Sequence, residues 1–191
     1  MRYKFCLWLL FATIVGLVES KNDFEMQFEN FTCSSDDEKG IFVQEFKCGL
    51  SKNLKRRTFS MEFMLKQNLN DHDFFMTIVL PRPNMRMDFV LLNLTTDGCQ
   101  LLANKNQVPL MHMGRSLVER YSNLPKQCPF ETGITYYIRG FRMDLSLIPA
   151  VEMETPVKVV LGYQRKHLTL VRGHLVARVQ RTVTGGKKSK V

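Results

Sequence analysis

Nothing in these 191 residues frames a known catalytic site: there is no GxSxG, P-loop, GxGxxG or HExxH. The four histidines, His72, His112, His167 and His174, are scattered along the chain. Its five cysteines show neither a CxxC pair nor a zinc-type spacing. No catalytic residue, metal ligand or cofactor is therefore expected, and the chain reads as a non-enzyme. One local cluster, Asp71-His72-Asp73, has the right chemistry for acid–base or metal work. It follows Asn68-Leu69-Asn70, however, and that composition reads as a solvated turn. Internal repeats are missing too, as is any interior linker long enough to separate one domain from another.

Long apolar runs are equally scarce. Only Phe5–Val18 is uncharged over many residues, and it falls short of the roughly 20 that span a bilayer. Arg2 and Lys4 precede it, and Val18-Glu19-Ser20 offers small residues at the −3 and −1 cleavage positions. That pattern predicts a signal peptide over residues 1–20 and a protein exported to the extracellular space. Cys6 leaves with the leader, so Cys33, Cys48, Cys99 and Cys128 remain to form two disulfides with three possible pairings. Cys33–Cys48 and Cys99–Cys128 are preferred because they close short local loops. Behind a leader, the sequons Asn30-Phe31-Thr32 and Asn93-Leu94-Thr95 are expected glycan sites, which would put both asparagines on the surface.

What is present is mostly period-two alternation. Phe24, Met26 and Phe28 open a first strand, and Ile41–Cys48 returns after the acidic turn Ser34–Gly40, as a hairpin clasped by Cys33 and Cys48. Phe59, Met61, Phe63 and Leu65 alternate next. Phe74–Leu80 is more uniformly apolar, as in a strand covered on both faces or packed under a loop. Met87, Phe89 and Leu91 lead to Asp97-Gly98-Cys99, where Asp97 is expected to bind turn amides. Ile134, Tyr136 and Ile138 alternate until the phase flips at Gly140, predicting a bulge at Arg139-Gly140. Val157–Tyr163 and Leu168–Val183 complete about eight strands, and residues 184–191 form a basic tail. Between Cys99 and Cys128, Leu110, Met113, Leu117 and Tyr121 share one face of a predicted helix, with His112, Arg115, Glu119 and Arg120 off it.

The formal charge is +9, with Lys52, Lys55, Arg56 and Arg57 clustered. A solvated basic face explains such a run, and an anionic membrane or glycan is the alternative partner. Export removes nucleic acid from consideration. Phe and Met are abundant on the strands, which usually signals core and sometimes a cavity for an apolar ligand.

Asp97-Gly98-Cys99, the amphipathic stretch, and then Ser122–Phe130 (SNLPKQCPF) resemble a family of secreted insect proteins that includes the chemosensory CheB proteins. FENFTC at Phe28–Cys33, Cys48 in FKCGL and the SLIP run at Ser146–Pro149 fit the same pattern. The sequence departs from it at Thr155-Pro156-Val157, so the turn there is expected to differ. Cys33, Cys48, Asp97, Cys99, Asn123, Cys128 and Pro129 carry over, all in structural roles. CheB-type proteins are similar to the ganglioside activator and its lipid-recognition relatives. That implies an all-β, immunoglobulin-like β-sandwich over residues 21–183, with one amphipathic helix between Cys99 and Cys128 and splayed sheets around an apolar cavity. The expected function is binding of a small hydrophobic ligand, a lipid or hydrocarbon, in chemosensation. A module docking on a receptor or channel through its surface is the alternative. Alternation and helix phase nominate Phe59, Met61, Phe63, Met87, Phe89, Leu117 and Tyr136 as lining residues.

Overall fold

Alternating side chains become eight strands in the computed structural model, which describes residues 24–37, 39–54, 56–82, 87–103, 109–143 and 154–181. The expected leader, the basic tail, Lys55 and the Ser146–Pro149 run lie outside the described residues. The strands are β1 (Phe24–Ser34), β2 (Val43–Leu50), β3 (Phe59–Leu65), β4 (Asp73–Leu80), β5 (Phe89–Asp97), β6 (Thr135–Phe141), β7 (Thr155–Arg165) and β8 (Leu168–Arg181). Two helices, α1 (Gly98–Leu102) and α2 (Pro109–Glu119), fall between β5 and β6. A five-stranded sheet in the order β1-β8-β7-β4-β5 faces a three-stranded sheet in the order β2-β3-β6. Every pairing is antiparallel, and the result is an all-β sandwich.

The core forms where the narrower sheet covers the wider one. On β3, Phe59, Met61, Phe63 and Leu65 are buried and alternate with half-buried Ser60, Glu62 and Met64. Phe63 and Tyr136 meet Phe130, Tyr163 and Val171 in one cluster. Phe59, Met61, Ile138 and Phe141 meet Phe28, Phe31, Leu175 and Ala177 in a second, which Leu117 of α2 joins. The bulge falls as expected. Phe59 is opposite Phe141 and Met61 opposite Ile138, so β6 holds one extra residue, and Gly140 takes a φ of +64° that suits glycine.

The expected hairpin is not there. β1 pairs with β8 and β2 with β3, so Cys33 and Cys48 join two different sheets across a Cα–Cα distance of 6.2 Å. The turn between them is shaped by buried Asp37 rather than by solvent. Its carboxylate accepts the N–H groups of Ile41, Phe42 and Val43 at 2.8, 2.7 and 2.8 Å. Burial works to raise its pKa, but these three donors and nearby Lys66 together hold it below the usual value. Such a clamp lets the chain step from one sheet to the other without orphaned amides.

Two further expectations fail for one reason. β4 is half-buried along its whole length, so of its two expected settings the strand covered on both faces is not the one found. Met87, just before β5, is 79% exposed and Phe89 43%, so neither belongs to a buried inward face. Three strands at roughly 4.8 Å spacing cannot roof five, and β4 and β5 form one end of the wider sheet. Phe89, opposite Leu80, has the Arg82 guanidinium over its ring, 4.8 Å from the centroid.

Both preferred disulfides are formed, with Cys99 and Cys128 at a Cα–Cα distance of 5.3 Å. Peptide mapping without reductant should recover these two pairs. Replacing Cys33 and Cys48 together by serine should lower the unfolding free energy by about 3 kcal/mol. The measurement is denaturant unfolding of the double variant beside the parent, and an unchanged midpoint would mean the staple between the sheets carries no load.

Candidate functional site

Among the described residues, the part of the wide sheet beyond the narrow one carries apolar side chains that are only half-buried. Cross-strand register puts Leu94, Met76 and Leu161 in one row and Leu92, Ile78 and Val159 in the next. Tyr163 and Phe74, one row further, point into the core, so alternation puts these six side chains on that inner face as well. All six are half-buried. Ile78 and Val159 touch a small buried cluster around Val157 and Val179. Met76, Leu92, Leu94 and Leu161 belong to none of the buried clusters among the described residues. The row Leu94–Met76–Leu161 continues to Gly173, which has no side chain, and then to Cys33. The floor is therefore apolar as far as Leu161; at Gly173 the Phe31 ring fills the place of a side chain, and the staple between the sheets lies beyond.

At one end of this floor stands a ring of aromatic groups centred on Phe130, which is fully buried. Its ring lies 4.7 Å from Tyr136, 5.5 Å from Tyr163, 5.7 Å from Phe63 and 5.0 Å from His72. Phe130 is held there by reciprocal backbone hydrogen bonds with Leu69, at 2.9 and 3.1 Å, just after Cys128. Asp97 caps α1 by accepting the Gln100 N–H at 2.8 Å, the turn role expected of it. Asn123 is likewise structural: it accepts the Tyr137 N–H at 2.7 Å and donates to the Thr135 carbonyl at 2.9 Å.

The Asp71-His72-Asp73 run divides. Asp71 is exposed and pairs with Arg165 at 2.8 Å, as a solvated turn would have it. His72 is 5% exposed, which corrects that reading. Its Nδ1 lies 3.9 Å from the Cys99 sulfur and 4.0 Å from that of Cys128, and its Nε2 has no hydrogen-bond partner. A Cβ on Gly98 would collide with this imidazole, so only glycine lets α1 sit against it. The three groups are close enough to hold a metal ion. Zinc-type coordination, though, uses thiolate sulfur, and these two sulfurs are bonded to each other. The arrangement is a histidine packed on a disulfide.

The nominated residues separate into two sets. Phe59, Met61, Phe63, Leu117 and Tyr136 converge, but they are packed into the buried clusters rather than onto the open floor. Met87 and Phe89 lie outside. Missed from the sequence were Met76, Leu92, Leu94 and Leu161; the uniformly apolar Phe74–Leu80 run was the available signal. Arg115, expected off the helix's apolar face, is buried at 7% exposure. The side chains of Leu110 and Met113 lie outside the described residues. A depression on the outer face, near Glu45, Lys47 and Glu62, has a volume of only 20 Å³, room for little more than a water. Asn30 and Asn93 are both exposed, as are Lys52 and Arg56. Arg57 instead donates to the Glu29 carbonyl at 2.7 Å. No described helix is long and apolar enough to cross a membrane.

Burial pushes the His72 pKa down from 6.5 to about 4, against the opposing pull of Asp97, Asp73 and Asp71. The unfolded chain therefore takes up a proton near pH 6.5, and the folded one resists until about 4. Stability should be level above that window and fall as pH drops through it, by about 3 kcal/mol at most. Urea unfolding at pH 7.5 and pH 4.5 reads the difference, and His72→Leu should remove most of it. An equally steep loss in that variant would place the acid sensitivity elsewhere.

Comparison with known proteins adds a family match without adding an activity. No curated protein matches the chain. A family model described as a protein of unknown function, DUF1091, matches residues 74–157, which run from β4 through both helices and the Cys99–Cys128 disulfide into β7.

Proposed function

We propose that this is a secreted binding protein for a small hydrophobic ligand, a lipid or hydrocarbon, acting in chemosensation on a lipid-recognition type of sandwich. The observation that carries the reading is the open floor of Met76, Leu161, Leu92, Leu94, Ile78 and Val159, apolar throughout and half-buried. Soluble domains seldom leave such a surface without use. Apolar area removed from water there would supply affinity at about 25 cal/mol per Å². The resemblance of the cysteine framework to CheB-type proteins points the same way, and the two-sheet architecture accommodates it. Export follows from the leader pattern. Glycans on Asn30 and Asn93 belong to the same proposal, and both side chains are free of the core.

Met76→Gln should weaken an apolar fluorescent probe by roughly tenfold while shifting the melting temperature little, because the side chain is only half-buried. Incubation with a lipid extract, repurification and mass spectrometry should identify the natural occupant. Repeated recovery of nothing apolar, together with no probe binding, would refute the carrier reading. Treatment of the secreted protein with an N-glycosidase should lower its mass at one or both sequons.

A second reading has one observation in its favour. Met87, just before β5, and Phe89, Val90 and Leu91, at its start, are all exposed, and β5 is an edge strand. Edge strands offer unpaired backbone groups to a partner. A module docking on a receptor through this strip would lose binding on Leu91→Lys and be indifferent to Met76→Gln. Lys52 and Arg56 with Lys55 could hold it near an anionic membrane or glycan, and retention on heparin that salt abolishes would support that contact.

A further inference from the structure

A buried cation stands near the aromatic end of the floor. Arg115 is 7% exposed, and no carboxylate among the described residues lies within ion-pair distance of it. A guanidinium has five N–H donors. Here Nε reaches the Leu102 carbonyl at 3.5 Å, Nη2 reaches the Pro125 carbonyl at 3.4 Å, and Nη1 has no partner. Both contacts are stretched for a charged donor, which normally sits below 3 Å. Burying such a charge without an opposite one is costly, and arginine is the residue best shaped to take a planar or tetrahedral oxyanion.

Its position gives the orphaned donor a direction. Leu102, whose carbonyl the guanidinium reaches, packs in the same buried cluster as Tyr163 and Phe130, and the nearby charge eases the rise that burial imposes on the Tyr163 pKa. Tyr163 lies opposite Phe74, and Leu161, opposite Met76, is the next residue on the same face of β7. Two residues along a strand amount to roughly 7 Å. One fixed positive charge therefore stands near the aromatic end of the six apolar side chains.

We propose that Arg115 is the head-group site for an acidic amphiphile, whose carboxylate or phosphate meets the guanidinium while its hydrocarbon chain lies on Met76, Leu161 and Leu94. This rests on the carrier reading above and specifies its ligand class. An arginine serving only to clamp α2 to the Pro125 loop would need no such ligand, and the two roles differ in what they discriminate.

The test compares oleate, oleyl alcohol and inorganic phosphate as competitors for an apolar fluorescent probe. Oleate should bind the parent protein about tenfold more tightly than oleyl alcohol, a difference of the size that one charge-assisted pair supplies. High salt should leave that ratio standing, because a buried pair is poorly screened. Arg115→Gln should abolish the preference and leave oleyl alcohol affinity unchanged, while Arg115→Lys keeps some of it. Equal binding of oleate and oleyl alcohol by the parent would overturn the head-group site and leave the carrier intact. Phosphate displacing the probe as well as oleate does would overturn the amphiphile, since the anion alone would then suffice. Binding of neither oleyl compound would remove both proposals. If the Gln variant fails to fold, the parent's own ratio and the Lys variant still decide.

Discussion

A sheet of three strands lying on a sheet of five is the constraint from which the rest follows. At roughly 4.8 Å per strand the wide sheet exceeds the narrow one by nearly 10 Å, so a full roof is geometrically impossible. Under the roof, aromatic and methionine side chains pack into buried clusters. Beyond it, β4, β5 and some of β7 keep the same apolar composition but reach only half burial or less. One sequence rule, alternating apolar residues, thus produces core in one place and open surface in another. Position relative to the edge of the narrow sheet decides which.

The two disulfides stand at either side of this offset. Cys33–Cys48 joins β1 at the outer edge of the wide sheet to β2 at the edge of the narrow one, so it sets how the sheets align laterally. Cys99–Cys128 ties α1 to the loop that delivers Phe130, and His72 packs against both sulfurs. Asp37 performs a related task without covalent chemistry: three backbone donors converge on one carboxylate where the chain crosses between sheets. Each device sits at a junction, where regular hydrogen bonding between strands has ended and something else must fix the chain.

Electrostatics sharpen the contrast between the two buried nitrogen bases. His72 meets its desolvation by staying neutral, which a titratable imidazole can do. Arginine lacks that option, since its guanidinium remains charged at any pH a folded protein meets. The same burial therefore yields a quiet packing residue at position 72 and, at position 115, a guanidinium that reaches two carbonyls and leaves one nitrogen without a partner. That difference in side-chain chemistry, more than location, separates a structural group from a candidate binding group.

Local chemistry was legible residue by residue. The strands, the bulge at Gly140, the capping role of Asp97, the helix between the last two cysteines and both disulfide pairings could be read from period, phase and spacing, because each depends on neighbours a few residues away or on short loops. Sheet membership could not: nothing near Cys33 or Cys48 says that β1 pairs with β8 at the far end of the chain. Nor does helix phase reveal that Arg115 is buried, because the carbonyls it reaches belong to Leu102 and Pro125, brought in by α1 and by the segment after α2. Alternation tells which side of a strand is apolar, and only the folded arrangement of unequal sheets decides whether that side becomes core, as at Phe59 and Phe63, or stays open, as at Met76 and Leu161.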